Sequence, residues 1–275
     1  MMRRAPLFLL ATLLGGLALA QTPAPVERSI PARLAPSSLL LDIVRAGDAL
    51  VAVGERGHIL ISRDGGATWQ QADVPTRSTL TGVAFQSPQV GVAVGHDAVI
   101  VSTTDGGATW QESPVSEDDR HLNQIARAES GALYIAAESG NAYRSDDGGA
   151  TWTLLETPYE GSFFGVLPVE NDVLLFGLRG HLYRSEDAGA SWTAVETGTV
   201  AMLNSGVRLP DGRIAIVGLG GVVLVSNDGG RTFALLQQQT RAGIQALTDG
   251  GGGRLTLVGE GGARPLSLSE LGKDR

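Results

Sequence analysis

The sequence predicts an all-β protein, a β-propeller of six four-stranded blades, with seven blades as the alternative. Three observations favour this fold. Five copies of an octapeptide close to S-x-D-G-G-x-T-W occur, and a turn close to V-G-x-x-G precedes each copy. The apolar runs between these signals are short, rich in β-branched residues and bounded by glycine, as buried strands are. A repeat of about 40 residues that contains four short strands is typical of a propeller blade.

The octapeptide predicts a tight turn between the third and fourth strands of each blade. The central aspartates of successive copies lie 41, 42, 40 and 41 residues apart. Asp and Ser or Thr side chains can hydrogen-bond to the turn backbone, and the glycine pair permits backbone angles that a side chain would block. The closing aromatic residue is large enough to anchor the turn in the core. We therefore predict a structural role for Asp64, Trp69, Asp105, Trp110, Asp147, Trp152, Asp187, Trp192, Asp228 and Phe233. A calcium loop is disfavoured because it needs several oxygen ligands within one loop, and only the third copy has two adjacent aspartates.

The turn signal recurs a sixth time at residues 258–262, where no octapeptide follows. In the second repeat the predicted strands are residues 80–85, 90–94, 99–103 and 110–113. The last repeat ends after its third strand. We therefore expect residues 21–37 to close the last blade with an N-terminal strand, because an unpaired sheet edge is a liability. The propeller itself is assigned to residues 38–275.

The first twenty residues predict a signal peptide. Arg3 and Arg4 precede an apolar stretch, and Ala18-Leu19-Ala20 forms an A-x-A cleavage site before Gln21. The apolar run is short for a membrane span. We expect residues 1–20 to be removed and the mature protein to be exported and soluble, in the periplasm or another extracytoplasmic space.

Composition and motifs exclude several classes of function. The formal net charge is −8, which is unlike the basic surface of a nucleic-acid-binding protein. The chain has no cysteine, so disulfides and thiolate chemistry are excluded. Its four histidines lack metal-ligand spacing, and no Ser-His-Asp constellation is evident. We predict no catalytic residue, no metal, no cofactor, no small-molecule substrate and a monomeric state.

The octapeptide is the Asp box, or BNR repeat, of sialidase-like propellers, and that name is used below. With a period near 41 residues and a V-G-x-x-G turn before each box, residues 38–268 resemble the photosystem II assembly and stability factor family. The resemblance implies a lumenal or periplasmic propeller that serves as an assembly chaperone or scaffold for membrane proteins, and not an enzyme. Members of that family usually close with seven blades, whereas six repeats are counted here.

The turns opposite the Asp boxes are the predicted binding face for an envelope or membrane protein. Repeat proteins commonly bind partners through variable side chains on a fixed turn. The candidate residues are Arg56, His58, His96, Asp97, Glu138, Arg179, His181 and Glu260. Solvated turn residues without a partner are the plain alternative. A sialidase-like propeller that acts on or binds glycans is the other functional alternative, although the regular spacing leaves little room for the loops of a deep catalytic cleft.

Overall fold

The computed structural model describes residues 27–112, 121–209, 211–237, 243–251, 254–259 and 263–267. These residues form an all-β propeller, so the predicted fold class is confirmed. Four short 3-10 segments interrupt the strands, at Ala35–Ser37, Glu55–Gly57, Leu178–Gly180 and Leu219–Gly221. Within the described ranges, no helix is long and apolar enough to span a membrane. The predicted signal peptide lies outside the described residues.

The strands form six sheets, each antiparallel and in chain order from the propeller axis outward. Blade 1 contains β1 (Leu40–Ala46), β2 (Ala49–Gly54), β3 (Ile59–Ser62) and β4 (Gln70–Gln71). Blade 2 contains β5 (Leu80–Phe85), β6 (Gly91–Gly95), β7 (Ile100–Thr103) and β8 (Gln111–Glu112). Blade 3 contains β9 (Leu122–Arg127), β10 (Leu133–Ala137), β11 (Ala142–Ser145) and β12 (Thr153–Leu155). Blade 4 contains β13 (Phe163–Val169), β14 (Asp172–Gly177), β15 (Leu182–Ser185) and β16 (Thr193–Ala194). Blade 5 contains β17 (Leu203–Arg208), β18 (Ile214–Gly218), β19 (Val222–Ser226) and β20 (Ala234–Gln237). Blade 6 contains β21 (Ile244–Gly251), β22 (Arg254–Gly259) and β23 (Arg264–Ser267).

The core lies between the blades. The innermost strands pack in cyclic order, and β21 of blade 6 contacts β1 of blade 1, so the ring is closed. Six apolar clusters fill the six interfaces between neighbouring blades. The second strand of each blade is buried on both faces, which explains apolar runs such as Ala49–Gly54. Because each cluster combines side chains from two blades, burial stabilises the ring as a whole.

The predicted number of four-stranded blades is corrected by the structure. Five sheets have four strands, and blade 6 has three among the described residues. The sequence has no Asp box after residue 263, and in each of the other blades the box forms the turn that leads into the fourth strand. The described residues therefore form five four-stranded blades and a sixth sheet of three strands.

The described part of the N-terminal segment does not close the last blade, so that prediction is wrong for residues 27–37. These residues contain no strand, and their hydrogen bonds go to blade 1. The Ser29 amide donates to the carbonyl of Val74 at 2.9 Å, and the Gln71 carboxamide bonds both Ile30 O and Ala32 N, at 3.0 and 2.9 Å. Pro31 lacks an N–H and so interrupts any regular ladder at this point. The side chain of Gln71 substitutes for the ladder that a strand would make.

Candidate functional site

Each Asp box is closed by the same set of hydrogen bonds. In blade 1 the Ser62 hydroxyl donates to Asp64 at 2.8 Å, and Asp64 accepts from the Thr68 amide at 2.9 Å and from the Thr68 hydroxyl at 2.6 Å. The other four boxes repeat this arrangement. The hydroxyl of Thr68, followed by its amide, lowers the pKa of Asp64 to about 2. The Asp carboxylates are ionised, and their oxygens accept hydrogen bonds from residues of the same turn.

The closing aromatic of each box packs against the preceding blade. Trp110 of blade 2 belongs to the cluster between blades 1 and 2, and Trp152 of blade 3 to the cluster between blades 2 and 3. Trp192, Phe233 and Trp69 occupy the same place in the next interfaces, with Trp69 between blades 6 and 1. The boxes therefore brace neighbouring blades together, in addition to closing their own turns.

The opposite end of the propeller is formed by the connections between second and third strands. We call residues 55–57, 96–98, 138–140, 178–180 and 219–221 the turn face. The middle residue of every turn has a positive φ: 58° at Arg56, 56° at Asp97, 57° at Ser139, 57° at Arg179 and 67° at Gly220. Side chains rarely adopt this left-handed conformation. Two exposed arginines therefore occupy positions where the backbone favours glycine.

Some of the predicted binding residues are exposed in the structure, whereas another, His58, is buried. Arg56, Arg179 and His181 are exposed, and Asp97 accepts a hydrogen bond from the Ser78 hydroxyl at 3.0 Å. His58 is only 3% exposed, with Nδ1 3.2 Å from the Ser38 hydroxyl, and burial lowers its pKa. It is thus unavailable to a partner, because the chain re-enters the blade directly after Gly57. Glu260 lies outside the described residues.

Two of the remaining candidates take part in aromatic and imidazole contacts. The rings of His96 and His121 are 4.4 Å apart, and Glu138 accepts a hydrogen bond from the His121 amide at 3.3 Å. Burial, together with the nearby His121, lowers the pKa of His96. His181 packs on the ring of Tyr159 at 4.3 Å. No group of three metal-ligating side chains is found in the described part of the chain.

A funnel of about 410 Å³ opens at the centre of the turn face. Its wall includes the second residue of each inner strand, one from each blade: Leu41, Thr81, Asn123, Phe164, Asn204 and Gln245. The Asn123 carboxamide donates to the carbonyl of Phe163 at 2.7 Å, and that of Asn204 donates to the carbonyl of Ile244 at 2.9 Å. The amide groups of these asparagines thus tie neighbouring blades and leave their carbonyl oxygens as acceptors.

In each of blades 1 to 5, one backbone hydrogen bond joins the turn face to the residue that precedes the inner strand. The first residue of the turn donates its N–H to the residue just before the inner strand. Glu55 donates to Leu39, His96 to Thr79 and Leu219 to Met202, at 2.9 to 3.1 Å. Leu39, Thr79 and Met202 all line the funnel. The two features are therefore parts of one surface.

The third residue of each inner strand, next to the one that lines the funnel, is small or polar, and we call these six positions the axial ring. Asp42, Gln124 and Ser205 from blades 1, 3 and 5 alternate with Gly82, Gly165 and Ala246 from blades 2, 4 and 6. Asp42 accepts from the Ile43 amide at 2.8 Å and from the Val83 amide at 2.9 Å.

The Gln124 side chain bonds Ser205 at 3.3 Å and the Val166 amide at 2.7 Å. Burial raises the pKa of Asp42 to about 7 against the hydrogen bonds it accepts. The hydrogen bonds of this ring involve residues of five blades, blades 1 to 5.

Comparison with known proteins gives the family. The model of the family described as photosynthesis system II assembly factor YCF48 matches residues 61–274. The chain belongs to this family.

Solved structures with similar folds include members of the YCF48 family. "YCF48 bound to D1 peptide" shares 22% identity with this chain at a TM-score of 0.58, covering 91% of this chain and 86% of that one. YCF48 from Cyanidioschyzon merolae shares 15% at 0.60, covering 87% and 98%. The WD40 β-propeller domain of Doa1 shares 12% at 0.59, covering 90% and 97%. At these identities the likeness concerns the fold alone. A comparison with curated protein sequences found no match.

Within this YCF48-family chain, the funnel is the feature that the sequence reasoning missed. A signal for it exists. The first residue of each inner strand is apolar in every repeat, but the second changes from Leu41 to Thr81, Asn123, Phe164, Asn204 and Gln245. A position that varies between repeats of one scaffold, directly after a constantly apolar one, indicates a side chain that does not pack in the blade interior.

Proposed function

We propose that this chain is an exported, non-catalytic assembly factor that holds a segment of a membrane protein against its turn face. The observation that carries the proposal is the combination of family and surface. The family is that of a photosystem assembly factor, and a related propeller is described as bound to D1 peptide. The turn face presents variable side chains on one repeated turn, with Arg56 and Arg179 in left-handed positions. Export is supported by the signal-peptide pattern of residues 1–20.

Site-specific photo-crosslinking in the native host tests the proposal. A photo-reactive residue replaces Arg179 on the turn face and, in a matched strain, Arg63 beside the Asp box of blade 1. Arg63 is a suitable control because it is also an exposed arginine, at the opposite end of the blade. We expect the Arg179 position to crosslink to one dominant membrane protein and the Arg63 position to give no such product.

Two outcomes would contradict the proposal. Equal labelling from both positions would mean that the turn face is not the binding surface. No protein adduct from either position, together with binding of the purified chain on a glycan array, would favour the sialidase-like alternative. Export is checked in the same strains by sequencing the N-terminus, which should begin at Gln21 in the extracytoplasmic fraction.

A further inference from the structure

The funnel has the size and lining of a ligand site. Pockets that bind small ligands or side chains usually enclose several hundred cubic ångströms and are largely apolar with a few fixed polar groups. The volume here is about 410 Å³. Leu39, Leu41, Phe164 and Met202 give it an apolar wall that is partly open to solvent. Leu39, which directly precedes β1, is 38% exposed.

Fixed hydrogen-bond acceptors stand beside this apolar wall. Asn123 and Asn204 each use their NH₂ group on a backbone carbonyl of the next blade, so the orientation of both carboxamides is set. The side-chain carbonyl oxygens of both asparagines accept no hydrogen bond among the described residues. Neither oxygen is among the fully buried polar atoms that lack a partner. An acceptor at a solvent-accessible pocket wall is suited to an incoming N–H donor.

The charge of the lining narrows the class of ligand. Of the lining residues, Glu55 is acidic, His96 carries an imidazole whose pKa is lowered, and none is arginine or lysine. A carboxylated sugar or a phosphate would therefore find no cationic partner in this wall. An uncharged apolar side chain, with the backbone N–H groups on either side of it, fits both the apolar wall and the two acceptors.

From these contacts we propose that the funnel takes one apolar side chain of an extended peptide segment, whose backbone amides donate to Asn123 and Asn204. The proposal rests on the proposed function and names the anchoring site within it. Because Glu55, His96 and Leu219 bond directly to funnel residues, a segment lying on the turn face passes over the mouth of the funnel. The arginines at the turns then contact the segment on either side of the anchor.

A single methyl group reports on occupancy of the funnel. The chain has three methionines; Met202 lines the funnel, and Met1 and Met2 belong to the predicted signal peptide, outside the described residues. Protein labelled with ¹³C at methionine methyl groups is titrated with N-acetyl-phenylalanine N-methylamide, which carries one apolar side chain between two peptide groups. We expect a saturable shift of the Met202 methyl signal with a dissociation constant on the order of 1 mM, the range for a small fragment.

Control probes separate the side chain from the backbone and from sugars. N-acetyl-glycine N-methylamide has the same amides without the side chain and should give no saturable shift. A saturable shift with glycine equal to that with phenylalanine would overturn the proposal. So would a shift that saturates with N-acetylneuraminic acid but not with the phenylalanine probe.

A matched pair of variants tests the wall. Phe164→Ala removes a half-buried apolar group from the funnel, whereas Leu154→Ala removes an exposed one from the outer strand β12. We expect Phe164→Ala to weaken binding of the phenylalanine probe at least fivefold, Phe164→Leu to restore most of it, and Leu154→Ala to leave it unchanged. Equal affinity in all three variants would contradict the proposed anchor.

The same variants distinguish failure of this inference from failure of the proposed function. If the photo-crosslink from Arg179 persists but the phenylalanine probe does not bind, the chain binds its partner without the funnel and this inference is wrong. If no crosslink forms at Arg179, the proposed function itself is wrong. If the crosslink is lost on Phe164→Ala and kept on Leu154→Ala, the result supports both the proposed function and the anchoring of the segment in the funnel.

Discussion

The buried carboxyl group at the propeller axis predicts an unusual dependence of stability on pH. Burial raises the pKa of Asp42 from its ordinary value of 3.8 to about 7. In the unfolded chain this group loses its proton near pH 4, but in the folded protein it keeps the proton until about pH 7. Between these values the unfolded state binds fewer protons, so the free energy of unfolding decreases as the pH rises.

The size of this effect follows from the two pKa values. Each pKa unit corresponds to about 1.4 kcal/mol, so the wild type should lose about 4 kcal/mol through Asp42 as the pH rises from 4 to 8. Asp42→Asn removes the titration. It also replaces one acceptor oxygen by an NH₂ group that faces a backbone N–H, which lowers stability by an amount that does not change with pH. The pH-dependent part is therefore the diagnostic one.

Urea denaturation followed by tryptophan fluorescence provides the assay. The free energy of unfolding is measured at intervals from pH 4.5 to 8 for the wild type, Asp42→Asn and the exposed control Asp48→Asn. Relative to the wild type, Asp42→Asn should gain roughly 3 to 4 kcal/mol across this range, and Asp48→Asn should show little change. A difference between Asp42→Asn and the wild type that stays constant with pH, or decreases as the pH rises, would refute the reasoning.

Two further predictions concern the two ends of the blades. Arg179→Gly should raise the free energy of unfolding by up to about 1 kcal/mol in urea denaturation, because glycine tolerates a φ of 57°. Gly180→Ala should lower the free energy of unfolding by on the order of 2 kcal/mol, since the new Cβ would lie 2.1 Å from the carbonyl oxygen of Thr199. A Gly180→Ala variant more stable than Arg179→Gly would contradict the strain argument. Asp105→Asn should lower stability at pH 7 by about 1 kcal/mol through weaker bonds to Thr109. That loss of stability should diminish as the pH falls from 4 towards 2, because the pKa of Asp105 in the folded protein is about 2 and its contribution disappears on protonation. The same denaturation assay measures it. A loss that does not change with pH would argue against a role for the ionised form.

Much of the fold was predictable because its signals are local. Each Asp box carries its own hydrogen-bond partners within seven residues, as Ser62, Asp64 and Thr68 show, so five copies could be read directly from the chain. The strands of blade 2 match their predicted bounds to within a residue or two. Turn chemistry and strand periodicity need no knowledge of the rest of the molecule.

The funnel and the axial ring could not be derived in the same way. Asn123 bonds Phe163, and Asn204 bonds Ile244, across about one repeat of sequence. These side chains meet only when the ring closes, and nothing in a single repeat indicates which blade follows at what angle. The prediction for residues 27–37 was wrong for a related reason. The sequence indicated an unpaired sheet edge in the last blade. In the structure the segment lies against blade 1 instead, where it is hydrogen-bonded by the carboxamide of Gln71.

The two ends of each blade are under different constraints. At the Asp boxes the side chains are nearly the same in every repeat, because each serves the turn that carries it. At the turn face the backbone is the same and the side chains differ. Blade 5 shows that Gly220-Gly221 makes this turn without strain, whereas Arg56 and Arg179 adopt the same left-handed conformation at a cost of about 1 kcal/mol each. Gly220 shows that a turn of this shape forms without an arginine, so the proposed function assigns the side chains of Arg56 and Arg179 to partner binding. On the proposed function, stability is reduced at the turn face in favour of binding, and substitution by glycine separates the two effects.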